Sequence, residues 1–155
     1  MNIIIMADIK TKEERSRNMS AIHSKDTDPE VYFRKLLFAK GIRYRKNVSY
    51  IPGHPDLYLK KYNTAIFVNG CFWHRHTGCK FAYMPKSRLD FWENKFVKNR
   101  TRDENVRKAL ANAGIRQLVI WECTIKKMKK NLNLREDIIE AVVRFLDNGT
   151  SYMEF

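Results

Sequence analysis

At 155 residues and 18.5 kDa, with 44% apolar and 12% aromatic residues, the chain has the size and composition of one folded domain. Such a domain buries roughly two thirds of its unfolded surface and needs no disulfide staples. Thirty Lys and Arg against seventeen Asp and Glu give a net charge of +13 and point to a polyanionic partner, nucleic acid ahead of an anionic membrane surface. No apolar run approaches the ~20 residues that span a bilayer, and three cysteines, an odd number, argue against a fully paired disulfide framework and fit a reducing cytoplasm.

Residues 1–9 read as a disordered extension too short and uncharged at its start for a signal peptide, with Met6 an alternative start. Residues 10–27 form a basic arm or short helix in which Met19 and Ile22 are the large apolar residues and Arg15, Arg17 and Lys25 can meet phosphates. The body of the domain is expected over 28–149, with 150–155 a C-terminal tail. Asp28-Pro29-Glu30 predicts a cap, a first-turn proline and a first-turn acid for a helix that Gly41 ends. Ile42 to Tyr50 alternates like a strand, Pro52 to Pro55 is a turn, and Leu57–Leu59 and Thr64–Val68 are strands joined by a turn at Lys60 to Asn63.

A long helix is predicted over Ser87 to Ala113, closed by Gly114. Trp92, Phe96, Asn99, Asp103, Val106, Leu110 and Ala113 share one face of it, so two polar residues interrupt an apolar stripe. Residues 117–121 form a buried strand. Asn133 and Glu136 have capping-box spacing for a last helix carrying Ile138, Ile139, Val142, Val143, Phe145 and Leu146. Helix, three strands, helix, strand, helix is the order of an α/β fold, a mixed sheet with helices on its faces.

Chemistry concentrates in Asn69-Gly-Cys-Phe-Trp-His-Arg-His-Thr-Gly-Cys79. Cys71, His76 and Cys79, with Cys123 at the end of another strand, make a Cys₃His set that would close a tetrahedral zinc site; the plainer alternative is buried thiols and a surface histidine. A closed site is structural, so catalysis must come from elsewhere. Asp56 stands at a strand start close to where Val68 returns and can hold magnesium, although aspartates beside prolines are commonly turn formers. Glu30 is a weaker second carboxylate, with a first-turn acid as its simpler role. Asp103 on the apolar stripe wants a partner such as His74, and a His–Asp pair beside a metal can act as general base; an exposed pairing with Asn99 or Arg107 is the alternative. Phe72, Trp73 and Trp92 fit a core, but two adjacent rings in a loop cannot easily point the same way, and beside DNA such rings can enter the base stack.

Pro52 to Asp56, Asn69 to Cys79, Phe91-Trp92, Asn99 to Asp103 and Trp121-Glu-Cys123 together resemble the bacterial very short patch repair endonucleases, over residues 7–146 in one order. The resemblance implies a restriction-endonuclease-like fold with structural Zn²⁺, and Mg²⁺-dependent nicking 5′ of the thymine in a T·G mismatch left by 5-methylcytosine deamination. It makes Asp56 the principal magnesium ligand with the Val68 carbonyl and, more weakly, Glu30. His74 becomes the general base and Asp103 its helper. Cys71, His76, Cys79 and Cys123 become the zinc ligands; Phe72, Trp73 and Trp92 the wedge; and Met19 and Ile22 the part of the arm that packs on DNA from the other groove. The chain departs from the family in having Asn69 where histidine is common. Asn69 and Asn99 are therefore open active-site contacts. A functional link to a DNA cytosine methyltransferase and to mismatch-repair proteins is implied as well, in a monomeric cytoplasmic enzyme with no membrane partner. Two other readings are a nuclease of this fold with another DNA target, and a zinc-stabilised DNA-binding module without catalysis.

Overall fold

The computed structural model describes residues 11–155, so the expectations for residues 1–9 and for Met6 as a start lie outside the described residues. The basic arm forms α1 (Lys12–Ser20), whose Thr11 cap and Glu14 make a reciprocal capping box. None of its residues is buried, and Met19 and Ile22 are each about half exposed.

Helix α2 (Asp28–Ala39) buries Glu30, Phe33 and Leu37. Its cap is Thr27 rather than Asp28, and the Thr27 hydroxyl donates to Glu30 Oε1 at 2.8 Å instead of receiving a backbone N–H. The strand expected over Ile42 to Tyr50 shrinks to β1 (Arg45–Lys46). Asn47 adopts φ +47, which turns the chain out of the sheet and sends Val48 and Ile51 into a separate apolar cluster. β2 (Leu57–Leu59), a single 3₁₀ turn at Lys60–Tyr62 and β3 (Thr64–Asn69) follow as the alternation predicts, with Asn63 in the left-handed region at the turn.

Helix α3 (Leu89–Asn112) begins two residues later than predicted, after Arg88 at φ +53. Along its stripe Phe96 and Leu110 are buried, Trp92, Asn99, Asp103 and Val106 half-buried, and Ala113 exposed. β4 (Arg116–Trp121) leads directly into α4 (Glu122–Lys130), a helix absent from the sequence reading. It buries Cys123, Ile125 and Met128 and exposes its lysines. Helix α5 (Leu132–Asp147) is capped by Asn131, whose side chain accepts from Leu134 N at 3.0 Å; the predicted Asn133 cap lies inside the helix. Residues 150–155, expected as a tail, contain β5 (Tyr152–Glu154).

The sheet order is β1-β2-β3-β4-β5, antiparallel through β3 and parallel from β3 to β5. Side chains of Leu57, Leu59, Ile66, Leu118 and Ile120 meet α2, α4 and α5 residues in the main core, including Phe33, Leu37, Ile125, Met128 and Phe145. Alternate residues face the other way, where Tyr58, Ala65 and Phe67 pack with Val106 and Leu110 of α3. This is the expected mixed α/β sheet flanked by helices. The parallel register pairs Val68 with Ile120 and Asn69 with Trp121, so β3 and β4 end together. Their two outgoing segments, beginning at Gly70 and Glu122, carry Cys71 and Cys123 away from one sheet end.

Candidate active site and metal centre

The backbone at that sheet end brings Asp56 to β3: its Oδ2 accepts the Val68 N–H at 2.7 Å. In an extended strand the carbonyl of a residue leaves on the same side as its N–H, so Val68 offers its oxygen on the Asp56 side. Burial pushes the Asp56 carboxyl up to about 6, the Val68 N–H opposes this, and the nearby Glu30 carboxylate raises it further. Glu30, only 6% exposed at the start of α2, therefore shares this environment. Two partly desolvated carboxylates and a strand carbonyl are the oxygen donors that a hard divalent cation such as Mg²⁺ takes, and a cation would relieve their mutual repulsion.

Across the site, His74 Nδ1 and Asp103 Oδ2 are 2.7 Å apart. With Nδ1–H donated to a carboxylate, Nε2 is the basic nitrogen of the ring. The predicted pair thus forms across 29 residues, while the alternative pairings of Asp103 with Asn99 or Arg107 do not; the nearest cation to Asp103 is Arg102 at 3.8 Å. Asn99, one turn from Asp103 on α3, uses Nδ2 to hold the Trp73 carbonyl at 2.9 Å. His74 N–H binds the Gly70 carbonyl at 3.1 Å. Asn69, His74 and Asp103 line one cavity of about 350 Å³, so Asn69 stands beside the His–Asp pair.

The loop turns at Arg75, φ +53, and separates two jobs. His74 goes to α3, while His76, Cys71, Cys79 and Cys123 place one ligand atom each within 4.8 Å of one another. His76 Nδ1 faces Cys123 Sγ at 3.3 Å and Cys71 Sγ at 3.6 Å. The His76 ring stacks on Trp121 at 4.1 Å and 1°, and burial holds its pKa low, keeping the imidazole in the neutral form that binds metal. Cys123 sits in the first turn of α4, which carries its sulfur to His76 Nδ1. Burial pushes the Cys71 thiol up to about 12, a cost that a cation among these donors offsets. Three thiols and one imidazole at this spacing fit zinc, and all three cysteines are unpaired. Four protein donors would fill a tetrahedral zinc and leave no open position for a substrate.

Phe72 is the hub of the aromatic group. Its ring centroid lies 5.1 Å from Trp73, 5.4 Å from Trp92, 5.2 Å from Phe96 and 5.1 Å from Tyr83, mostly edge to face. Phe96 is buried beneath, while Trp73 and Trp92 are half-buried and Tyr83 and Phe91 lie exposed around them. The group is rooted in α3 through Phe96 and open at its tip. Arg75 braces it, its guanidinium 4.2 Å over Phe96 and its Nη1 on the Tyr83 carbonyl at 2.9 Å. Tyr83 was missed in the sequence, where only the run of aromatics around it hinted at a role. Met19 and Ile22 lie apart from this group, exposed on and just after α1.

A family model described as DNA mismatch endonuclease Vsr matches residues 7–80. The Type II nicking enzyme V.NmeAIP of Neisseria meningitidis is 47% identical over 141 residues, covering 88% of this chain and 100% of the relative. The Type II nicking enzyme V.XorIIP of Xanthomonas oryzae is 41% identical over 123 residues, 79% of this chain and 90% of the relative. The DNA mismatch endonuclease Vsr of Escherichia coli is 38% identical over 125 residues, 81% and 80% of the two chains. With identities at this level along most of both lengths, the chain belongs to the DNA mismatch endonuclease Vsr family, hydrolases of DNA phosphodiester bonds with a restriction-endonuclease-like fold.

Proposed function

We propose that this enzyme nicks one strand of double-stranded DNA on the 5′ side of the thymine in a T·G mismatch, with Mg²⁺ as catalytic ion and Zn²⁺ as a structural one. The observation that carries the reading is the His74–Asp103 pair, 2.7 Å apart, at the same sheet end as Asp56 bound to Val68 N–H. Names of relatives that specify mismatch endonuclease and nicking enzymes support it.

Asp56, the Val68 carbonyl and Glu30 would hold Mg²⁺, which when bound neutralises charge developing on the scissile phosphate and leaving oxygen. His74 Nε2 takes a proton from the attacking water, and Asp103 keeps the proton on Nδ1 and stabilises the imidazolium that forms. Asn69, in the cavity with both, contacts the scissile phosphate region with an amide where histidine is common. Asn99 acts indirectly by fixing the Trp73 backbone. Phe72, Trp73 and Trp92 enter the stack at the weakened mispair, where unstacking costs least, and the exposed Met19 and Ile22 of the arm pack on the opposite groove. Cys71, His76, Cys79 and Cys123 take Zn²⁺ and pin this loop to β4, so the loop carrying His74 is held from both ends. The catalytic body runs from residue 28 past 149 to include β5 of the same sheet. By resemblance, a cytosine methyltransferase creates the lesion's precursor, mismatch-repair proteins work alongside, and the enzyme acts as a cytoplasmic monomer.

The test is a strand-labelled nicking assay on T·G, U·G and fully paired duplexes in several flanking sequences, with and without Mg²⁺. Nicking confined to the thymine strand of T·G supports the proposal. Equal cutting of a paired duplex would favour another target, and binding without cutting would favour a DNA-binding module.

A further inference from the structure

The loop that leaves the Cys₃His cluster carries a ring that the proposed function does not use. Tyr83 is 63% exposed, yet its backbone is held on both sides. The Ala82 N–H binds the Cys79 carbonyl at 3.0 Å and the Cys79 N–H binds the His76 carbonyl at 3.2 Å, so the approach to Tyr83 is anchored at two residues of the cluster. Arg75 Nη1 then donates to the Tyr83 carbonyl at 2.9 Å, while the same guanidinium lies 4.2 Å over the Phe96 ring. Arg75 directly follows His74, so one side chain ties the seat of Tyr83 to the loop that carries the general base.

Trp73 and Trp92 meet Phe72 and also each other, the latter pair 6.1 Å apart. Among the described residues Tyr83 meets Phe72 alone, 5.1 Å away and tilted by 44°, which places it at an edge of the aromatic group. Water thus wets most of a large ring that stands on a fixed backbone. Ordering such a ring against a ligand costs little entropy, because only side-chain torsions remain to be fixed. The charge around it selects the ligand. Residues 80–89 carry Lys80, Lys86 and Arg88 and no acid, and the Arg88 guanidinium lies 4.4 Å over the exposed Phe91 ring, which itself touches Trp92. An aromatic face among cations suits a nucleobase flanked by phosphates better than it suits an apolar protein surface.

We propose that Tyr83 is a specificity residue: its ring stacks on a nucleobase of the pair next to the mispair and extends the surface that Phe72, Trp73 and Trp92 present to the opened stack. The inference rests on the wedge reading of those three rings. Stacking one base on an aromatic side chain is worth roughly 5–100-fold in affinity and tolerates any base. Here it favours DNA whose stack has been opened, because a closed duplex offers no free base face.

The experiment measures affinity for a T·G duplex and for the paired duplex of the same sequence, at one salt concentration and without Mg²⁺, for wild type, Tyr83→Ala, Tyr83→Phe and Trp73→Ala. Zinc content and circular dichroism are the controls for folding. Tyr83→Ala should lose at least about 5-fold of the T·G preference, and Tyr83→Phe, which keeps the ring, should retain it. A second readout needs no variant to fold: 5-iodouracil placed in turn at the pairs flanking the mispair should photo-cross-link the wild-type protein at Tyr83 from one of them. A preference unchanged in Tyr83→Ala but lost in Trp73→Ala, an equal loss in Tyr83→Phe, or the absence of any Tyr83 cross-link would overturn the proposal while leaving the wedge standing. An unchanged preference accompanied by altered self-association on sedimentation would assign the ring to a protein contact instead. A T·G preference absent from wild type, or unchanged in both alanine variants, would overturn the wedge reading, and this inference with it.

Discussion

Replacing Asp56 by Asn should stabilise the fold while removing activity. Asn keeps an oxygen that can accept the Val68 N–H and loses only the charge, which burial and Glu30 disfavour. The Asp56 carboxyl moves from 3.8 to about 6 on folding. An acid whose folded pKa lies above its unfolded value binds its proton more tightly in the native state, so native stability falls as pH rises from about 3.8 through about 6. Two units correspond to about 3 kcal/mol at pH 7.5, which the neutral side chain recovers; by pH 5 roughly half of that gap remains. For a chain of this length the gain at pH 7.5 is a rise in Tm of about 6–12 °C. Thermal melts of wild type and Asp56→Asn at both pH values, without added magnesium, read it directly. A variant that melts no higher than wild type at pH 7.5, or a gap that does not shrink at pH 5, would refute the claim that Asp56 is held ionised at a cost. Added Mg²⁺ should close the gap from the wild-type side, because it binds the charged form.

Asp103→Asn should lower the nicking rate by about 10²-fold or more with DNA affinity nearly unchanged, since the neutral amide no longer stabilises the imidazolium and its NH₂ can face Nδ1 and impose the wrong tautomer; gel-shift and single-turnover assays separate the two. At sub-saturating Mg²⁺, nicking should fall as pH drops toward about 6 and below, where Asp56 gains its proton and holds the cation less well, and more Mg²⁺ should move the fall to lower pH; a profile flat from pH 8 to 5 at low Mg²⁺ would contradict this. Trp73→Ala should reduce discrimination between T·G and paired duplexes more than it reduces non-specific binding, measured as a ratio of affinities at one salt concentration. Gly53→Ala should destabilise by about 1–3 kcal/mol in chemical denaturation, because Gly53 holds φ +79 and a Cβ would lie 2.4 Å from Val106 Cγ1; Val106→Ala should relieve the steric part.

The site was more legible in the sequence than parts of the fold. Cysteine, histidine and carboxylate types announce their chemistry, and β3 and β4 are apolar runs with legible ends, so the sequence alone pairs Cys71 with Cys123. The stripe on α3 revealed Asp103 because a carboxylate on an apolar face needs a partner, and His74 supplies it. Local pattern failed where long-range pairing decides. β5 exists because Tyr152 to Glu154 bond to β4, which nothing near those residues announces. The expected strand before Tyr50 stops at Lys46 because Asn47 takes a left-handed conformation, and alternation does not encode that. Helix α4 escaped notice because nine lysine-rich residues show their apolar side only at Cys123, Ile125 and Met128, once the main core lies beneath them. The stacking of His76 on Trp121 was invisible for the same reason: the two residues meet only after β4 is in place beside β3.

The central claim is strand-specific, magnesium-dependent nicking by the Asp56 and His74–Asp103 constellation. It is tested most directly by single-turnover nicking of a T·G duplex labelled separately on each strand, with wild type, Asp56→Ala and His74→Ala compared in Mg²⁺. The account predicts one cut, 5′ of the mismatched thymine, made by wild type and lost or slowed by at least about 10²-fold in both variants. Undiminished cutting by either variant, or equal cutting of both strands, would contradict it.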